Sequence, residues 1–327
     1  MKKLLLIAII TSVLLSPIAA AAPLPTQDAA RQLPHHPTTQ TPADVSTYED
    51  AVDQAQTTNY TGNITVGYVN FGGGLVNCSV GQSFIPAKKI LTRVQIYMAK
   101  NPNSTLPCNL AVRDNLTEET LVYATMSPPA FSDYPNFGWV EFNFDDIPVT
   151  INTTYYLVLW TENATGSFYY ASGSDGNPYP NGSAYWTLDD GQNWSLLGNE
   201  SDAAFKTYGR DAPAWATGMY SGVWGLAPAG IPLPPSGWFT GFTRQRFFIG
   251  FDGIFAPFNT PVHNATNGIT GVLIGPFMIG AVQNLTTGKG AWFVSLGTGN
   301  ATTSEFYFRI MFFVLPTFYM AGKYYSF

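Results

Sequence analysis

From about residue 60 onward, no run of this chain longer than ten residues carries a helical stripe, and that shortage constrains its fold more than any other feature. Aromatic and β-branched residues alternate with polar ones instead, in short runs broken by 31 Gly, 24 Pro and 21 Asn. The clearest runs are Leu91–Met98, Leu110–Arg113, Trp139–Phe144 and Thr154–Trp160. In the first, Val94, Ile96 and Met98 face one way and Arg93, Gln95 and Tyr97 the other, the period of a half-buried antiparallel strand. The fold class expected is all-β.

The chain divides by composition. Lys2 and Lys3, an apolar run over Leu4–Ala19 and small residues at Ala19–Ala22 read as a removable signal peptide over 1–22. Residues 23–60 are rich in Pro, Thr, Gln, Ala and Asp, with few aromatics to bury, and read as a disordered tether in which a short helix over Tyr48–Gln56 could form. Two β domains follow, over 61–210 and 213–327. Residues 23–212 hold 8 basic and 19 acidic side chains, whereas 213–327 hold 5 and 2. The acidic larger part argues against nucleic acid as a partner.

Thirteen asparagines begin Asn-x-Ser/Thr sequons: Asn59, Asn63, Asn77, Asn103, Asn115, Asn152, Asn163, Asn181, Asn193, Asn199, Asn264, Asn284 and Asn300. Chance predicts about three or four. The excess, with the signal peptide, points to an exported glycoprotein outside the cell or on its surface. In that oxidising setting Cys78 and Cys108, the only cysteines, are expected to form a disulfide worth about 3–4 kcal/mol. Only three histidines occur, His35, His36 and His263, which argues against histidine-based nucleophilic catalysis and multi-histidine zinc sites.

Residues 63–209 resemble a jelly-roll β-sandwich module of secreted and surface proteins of archaea and bacteria. The resemblance rests on Gly81–Pro86, Leu91–Tyr97, Gly138–Phe142, the Thr154–Leu159 strand, Asn177–Tyr185 and Ala203–Gly209, in that order. It implies an accessory extracellular domain rather than a reaction. Within it, Thr187-x-Asp189-x-Gly191-x-x-Trp194 resembles an Asp-box hairpin, whose Asp accepts turn hydrogen bonds and whose Trp anchors the hairpin by burial.

The last domain repeats. Thr240-Gly241-Phe242, four residues, then Phe247-Phe248-Ile249-Gly250 matches Thr270-Gly271-Val272, four residues, then Phe277-Met278-Ile279-Gly280, 30 residues on. Each copy reads as a hairpin, and the domain as a small antiparallel barrel or β-roll of about six to eight strands.

Carboxylates that could serve acid–base chemistry are Glu141, Asp145, Asp146, Glu162, Asp189, Asp190 and Asp202, but neighbours on a strand point to opposite faces and make no ready pair. A catalytic role is not expected. The loops could hold a structural Ca²⁺, with Asp133, Asp175 and Asp202 as candidate ligands. Tyr169, Tyr170, Tyr179 and Trp186 are the candidate sugar-stacking aromatics. The function expected is a non-enzymatic structural or adhesive role in the cell envelope, with an extracellular polysaccharide or an envelope protein as partner. The alternative is a carbohydrate-binding module. A third, weaker reading takes the aromatic C-terminus ending at Phe327 as a small outer-membrane barrel. Once the signal is cleaved, a membrane is otherwise not an expected partner.

Overall fold

The structure is a computed structural model that describes residues 48–327 apart from 58–61, 72, 119, 163–166, 199, 227–232, 246–248, 261–263, 275, 301–303 and 313–317. The segment read as a signal peptide, most of that read as a tether, His35, His36, His263, Asn59, Asn163 and Asn199 therefore lie outside the described residues.

Thirteen strands build a β-sandwich: β1 Ala51–Gln56, β2 Gly62–Phe71, β3 Gly74–Phe84, β4 Ile90–Lys100, β5 Cys108–Arg113, β6 Thr120–Met126, β7 Gly138–Pro148, β8 Tyr155–Thr161, β9 Phe168–Ser174, β10 Ala184–Thr187, β11 Ser195–Leu196, β12 Asp202–Ala203 and β13 Phe205–Arg210. Along the hydrogen-bonded path the order is β1-β13-β4-β9-β2-β3-β8-β5-β6, with β7 on β4, β12 on β9, and the β10–β11 hairpin on β3. Strand β3 belongs to both layers, pairing with β2 up to Cys78 and with β8 from Val80. The alternation read in β4 is present: Val94, Ile96 and Met98 are buried, while Arg93, Gln95 and Tyr97 are half-buried. Phe142, Tyr169 and Phe205 join them, and Val80, Phe84, Leu110, Val112, Leu157 and Leu159 complete the same core.

Two expectations are corrected here. Ala51–Gln56, read as tether with a helical option, pairs with β13 as an edge strand, because the exposed edge of β13 offers its backbone groups partners that a lone short helix lacks. Cys78 and Cys108 are both free, buried thiols. β8 lies between β3 and β5, so two strand spacings of about 4.7–4.9 Å separate the cysteine strands, beyond disulfide reach. Burial raises both thiols' pKa.

Eight strands then close a barrel: β14 Gly218–Leu226, β15 Leu233–Gln245, β16 Ile249–Pro257, β17 Asn267–Ile274, β18 Phe277–Asn284, β19 Gly290–Asn300, β20 Glu305–Phe312 and β21 Phe318–Ser326. Both repeat copies are hairpins, β15–β16 and β17–β18, but their registers differ. Gly271 opposes Gly280, whereas its counterpart Gly241 opposes Gly253 rather than Gly250. That three-residue offset turns Gly250 and Gly280 toward opposite faces.

The barrel interior is aromatic: Tyr220, Phe239, Phe251, Ile269, Met278, Phe293 and Met320 form its core. Rings lie where glycines leave room. A Cβ on Gly271 would stand 2.5 Å from Phe251 Cζ, and one on Gly280 2.9 Å from Phe293 Cζ. Outside, Met219, Phe242, Ile254 and Ala256 pack with Tyr48 and Ile90 of the sandwich side. Arg210 crosses that seam. Its guanidinium, almost wholly buried, donates to Asp146 Oδ2 at 2.5 Å and to Thr240 Oγ1 at 3.2 Å.

Candidate functional site: a tryptophan-flanked groove on the sandwich

The turn of the β10–β11 hairpin is held by local hydrogen bonds around Asp189. Thr187 Oγ1 donates to Asp189 Oδ1 at 2.6 Å, and Asn193 donates its backbone N–H to the same oxygen at 2.9 Å. Asn193 Nδ2 donates to Asp189 Oδ2 at 2.6 Å. These bonds, with Thr187 the largest contributor, lower the Asp189 pKa to about 2. Gly191 takes φ +83°, which a side chain would strain, and Trp194 Nε1 donates to the Gly191 carbonyl at 3.1 Å. The Trp194 ring comes down on β3, 3.3 Å from where a Gly81 Cβ would stand.

Beside the hairpin runs a groove of about 420 Å³ bounded by Trp160, Trp194, Arg113, Glu162, Asp190 and Asn77. Alternation along β8 explains Trp160: Leu157 and Leu159 enter the core, so Trp160 projects from the other face and stays half-buried. Asn109, on β5, opposes it. Arg113 sits at the end of β5, where it donates to Thr120 Oγ1 and to the Leu116 carbonyl. Burial lowers its pKa. Asn77 donates to Asp190 Oδ1 at 2.6 Å, tying the hairpin turn to β3. Thr161, also at the groove, has a buried Oγ1 without a partner. Two tryptophan rings, a guanidinium, two carboxylates and an amide thus border one depression.

The candidate aromatics do not converge there. Tyr169 is fully buried and donates to the Leu106 carbonyl at 2.5 Å. Tyr179 is also core, with Phe205 edge-on at 5.1 Å and its hydroxyl shared between Gln54 and the Ile85 N–H. Tyr170 packs on Tyr134 at 4.5 Å. Trp186 opposes Val80, a core residue, and so takes the face of β10 opposite to Tyr185, which opposes Gly81. A sugar-stacking patch of these four is therefore corrected: the tryptophans that share a groove are Trp160 and Trp194.

The Asp145–Asp146 doublet, on β7, splits as strand geometry requires. Asp146 turns inward to Arg210, whereas Asp145 lines a separate cleft of about 660 Å³ with Glu305 and Lys323. Burial and the neighbouring Asp146 charge raise the Asp145 pKa, and Lys323 opposes them. Asp133 pairs with Lys100, Asp175 accepts from Ser201, and Asp202 accepts from Gln82 and the Tyr179 N–H. Among the described residues no group of three or more His, Cys, Asp or Glu side chains converges as a cation site.

Of the sequon asparagines, Asn63, Asn103, Asn115, Asn152, Asn181, Asn193 and Asn264 are exposed, Asn284 is half-buried, and Asn77 is buried. Asn300 lies in β19, with its side chain outside the described residues. Comparison with protein-family profiles, with curated proteins and with solved structures finds no match for the chain.

Proposed function

We propose that this chain is an exported, glycosylated surface protein whose sandwich, a jelly-roll module, binds an extracellular polysaccharide in the Trp160–Trp194 groove. Adhesion within the cell envelope would follow from that binding. One observation carries the reading: two half-buried tryptophans flank a strip bearing Arg113, Glu162, Asp190 and Asn77. Pyranose rings present flat C–H faces that stack on indole, while their hydroxyls need donors and acceptors around the edge. The groove supplies both. Location is supported by the signal-like N-terminus and by seven exposed sequon asparagines. The jelly-roll assignment is supported by motif segments that fall on β3, β4, β7, β8 and β13.

Binding is favoured over turnover because each carboxylate doublet has a member committed elsewhere, Asp146 to Arg210 and Asp189 to its own turn. An outer-membrane role for the barrel is the weaker reading. Spanning barrels hold polar groups within, whereas this interior is packed with aromatic and aliphatic side chains and Tyr48 covers part of the outer wall, although Phe277, Ile279, Trp292 and Leu296 are exposed outside.

The test is affinity electrophoresis of the full chain through a panel of polysaccharides. One glycan should retard the native protein, and Trp160→Ala should weaken that binding by about tenfold or more with unchanged near-UV circular dichroism. Tyr179→Phe should leave it intact. Retardation that survives loss of both Trp160 and Trp194 would overturn the site, and a folded protein that no glycan retards would overturn the function.

A further inference from the structure

Arg113 differs from the other arginines of the sandwich. Arg93 holds Asp50 and Glu141, and Arg210 holds Asp146. Arg113, half-buried at the groove, donates from Nε to Thr120 Oγ1 at 3.3 Å and from Nη1 to the Leu116 carbonyl at 3.0 Å, both neutral oxygens. Among the described residues no carboxylate pairs with it. An arginine carries five N–H donors, so three remain, two of them on Nη2. What is left is a charged, planar donor fork without the carboxylate that such a fork fits.

The groove is ordered by charge. In β8, Tyr156 opposes Arg113, Val158 opposes Gly81 of β3, Trp160 opposes Asn109, and Glu162 follows the strand. The Trp194 ring and Leu116 Cδ2 both come down on Gly81, 3.3 Å and 2.8 Å from where its Cβ would stand. Trp194 therefore takes the Val158 row, and Arg113, which holds the Leu116 carbonyl, lies beside it. Asp190 is tied to Asn77, which precedes Ser83, the β3 partner of Tyr156, by six residues and so belongs at the Glu162 end. Along β8 the order is guanidinium, indole, indole, carboxylates, in two-residue steps of about 6–7 Å. The backbones of Arg113 and Glu162 are about 20 Å apart along the strand direction.

We propose that the groove takes an acidic polysaccharide, with one sugar ring stacked on Trp194 and the uronate carboxylate of that sugar gripped by the Arg113 guanidinium, at the end away from Glu162 and Asp190. The inference rests on the groove being a glycan site and names the class of glycan. A uronic acid carries its carboxylate at the edge of the ring, so a ring lying flat on indole turns that group outward, where a neighbouring guanidinium meets it. Glu162 and Asp190, at the other end, accept from hydroxyls of sugars that stack on Trp160. The acidic balance of the sandwich does not exclude such a partner. At 0.1 M salt, exposed charges more than about 10 Å apart are largely screened, so the group in contact decides.

The experiment is affinity electrophoresis of the full chain through polygalacturonate, alginate and hyaluronate, each run beside its methyl ester, which keeps the backbone and removes the charge. At least one acid form should retard the native chain, and its ester should bind about tenfold more weakly or not at all. Arg113→Gln should bring the acid form down to the affinity of the ester and leave the ester unchanged, and Arg113→Lys should recover only part of the loss. Trp160→Ala should weaken acid and ester alike. Equal binding of acid and ester by the native chain would overturn the uronate and leave the groove standing. So would acid binding that survives Arg113→Gln with near-UV circular dichroism intact, or a neutral glycan held through Trp160 while every acid form fails. A folded chain that binds no glycan, acidic or neutral, would overturn the groove and the uronate together.

Discussion

Asp252 sits on the outer wall of the barrel beneath Tyr48, whose hydroxyl donates to the Asp252 carbonyl at 3.0 Å. Burial raises its carboxyl pKa to about 6, with Arg244 pulling the other way. In the unfolded chain the value is about 3.9. The folded state therefore holds the proton more tightly, and the contribution to stability falls as pH rises from about 4 to about 6, then stays level. The span is at most about 3 kcal/mol. Asp252→Asn should remove that slope and raise the urea midpoint at pH 7, measured against the native chain from pH 4 to 7.5. Asn77 makes a different point. Its Nδ2 is committed to Asp190 and its side chain is buried, so glycopeptide mass spectrometry of the folded protein should find Asn77 bare while Asn103 and Asn152 carry glycan. A glycan found on Asn77 would contradict the groove geometry. Which tyrosines were core was not legible beforehand. Tyr has an apolar ring and a polar tip, so Tyr169 and Tyr179 satisfy either a core or a ligand pattern until their hydroxyl partners, the Leu106 carbonyl and Gln54, are known. Trp160 was more accessible, because Leu157 and Leu159 already mark the inner face of its strand.

Hairpins were the best-read elements. The residues of the β10–β11 turn lie close together along the chain, and their bonds are local, so Thr187, Asp189, Gly191 and Trp194 declare a turn without tertiary information. The 30-residue repeat likewise declared two hairpins. Its register did not follow, because one hairpin is offset by three residues relative to the other, and only cross-strand pairing reveals that. β1 was missed for a similar reason: a polar six-residue run becomes a strand only when an edge such as β13 is there to receive it. The opposed glycines of β15 and β16 now acquire a purpose. A Cβ on Gly241 would collide with the Tyr220 ring and the Asp252 carbonyl. Gly241→Ala should therefore cost about 1–3 kcal/mol of unfolding free energy, read from the denaturant midpoint. An unchanged midpoint would mean that Tyr220 does not lie on that wall.

At the scale of residues 48–327, the sandwich and the barrel are joined by buried polar chemistry as well as by apolar packing. Arg210 links Asp146 of β7 to Thr240 of β15, and Ser221 donates to the Asp146 carbonyl at 3.0 Å. Removing one partner of a buried pair strands the other. Arg210→Ala should cost about 3–5 kcal/mol, whereas Arg210→Leu with Asp146→Leu should recover most of it. Calorimetry distinguishes the cases, and a single-variant loss below about 1 kcal/mol would show that the pair does not hold the seam. None of this linkage was legible in the sequence, since Arg210 and Asp146 are far apart along the chain and are brought together by strands paired to a common neighbour, β4. The barrel itself closes between its first and last strands, Gly218 opposite Ser326 through Leu226 opposite Phe318. Synthesis therefore sets a clock on this half of the molecule: until residue 326 has been made, β14 lacks one of its two neighbours, and the aromatic lining has no sealed vessel to fill. A nascent chain halted even ten residues short would expose an unpaired β14 edge, the kind of surface that chaperones guard and aggregates recruit.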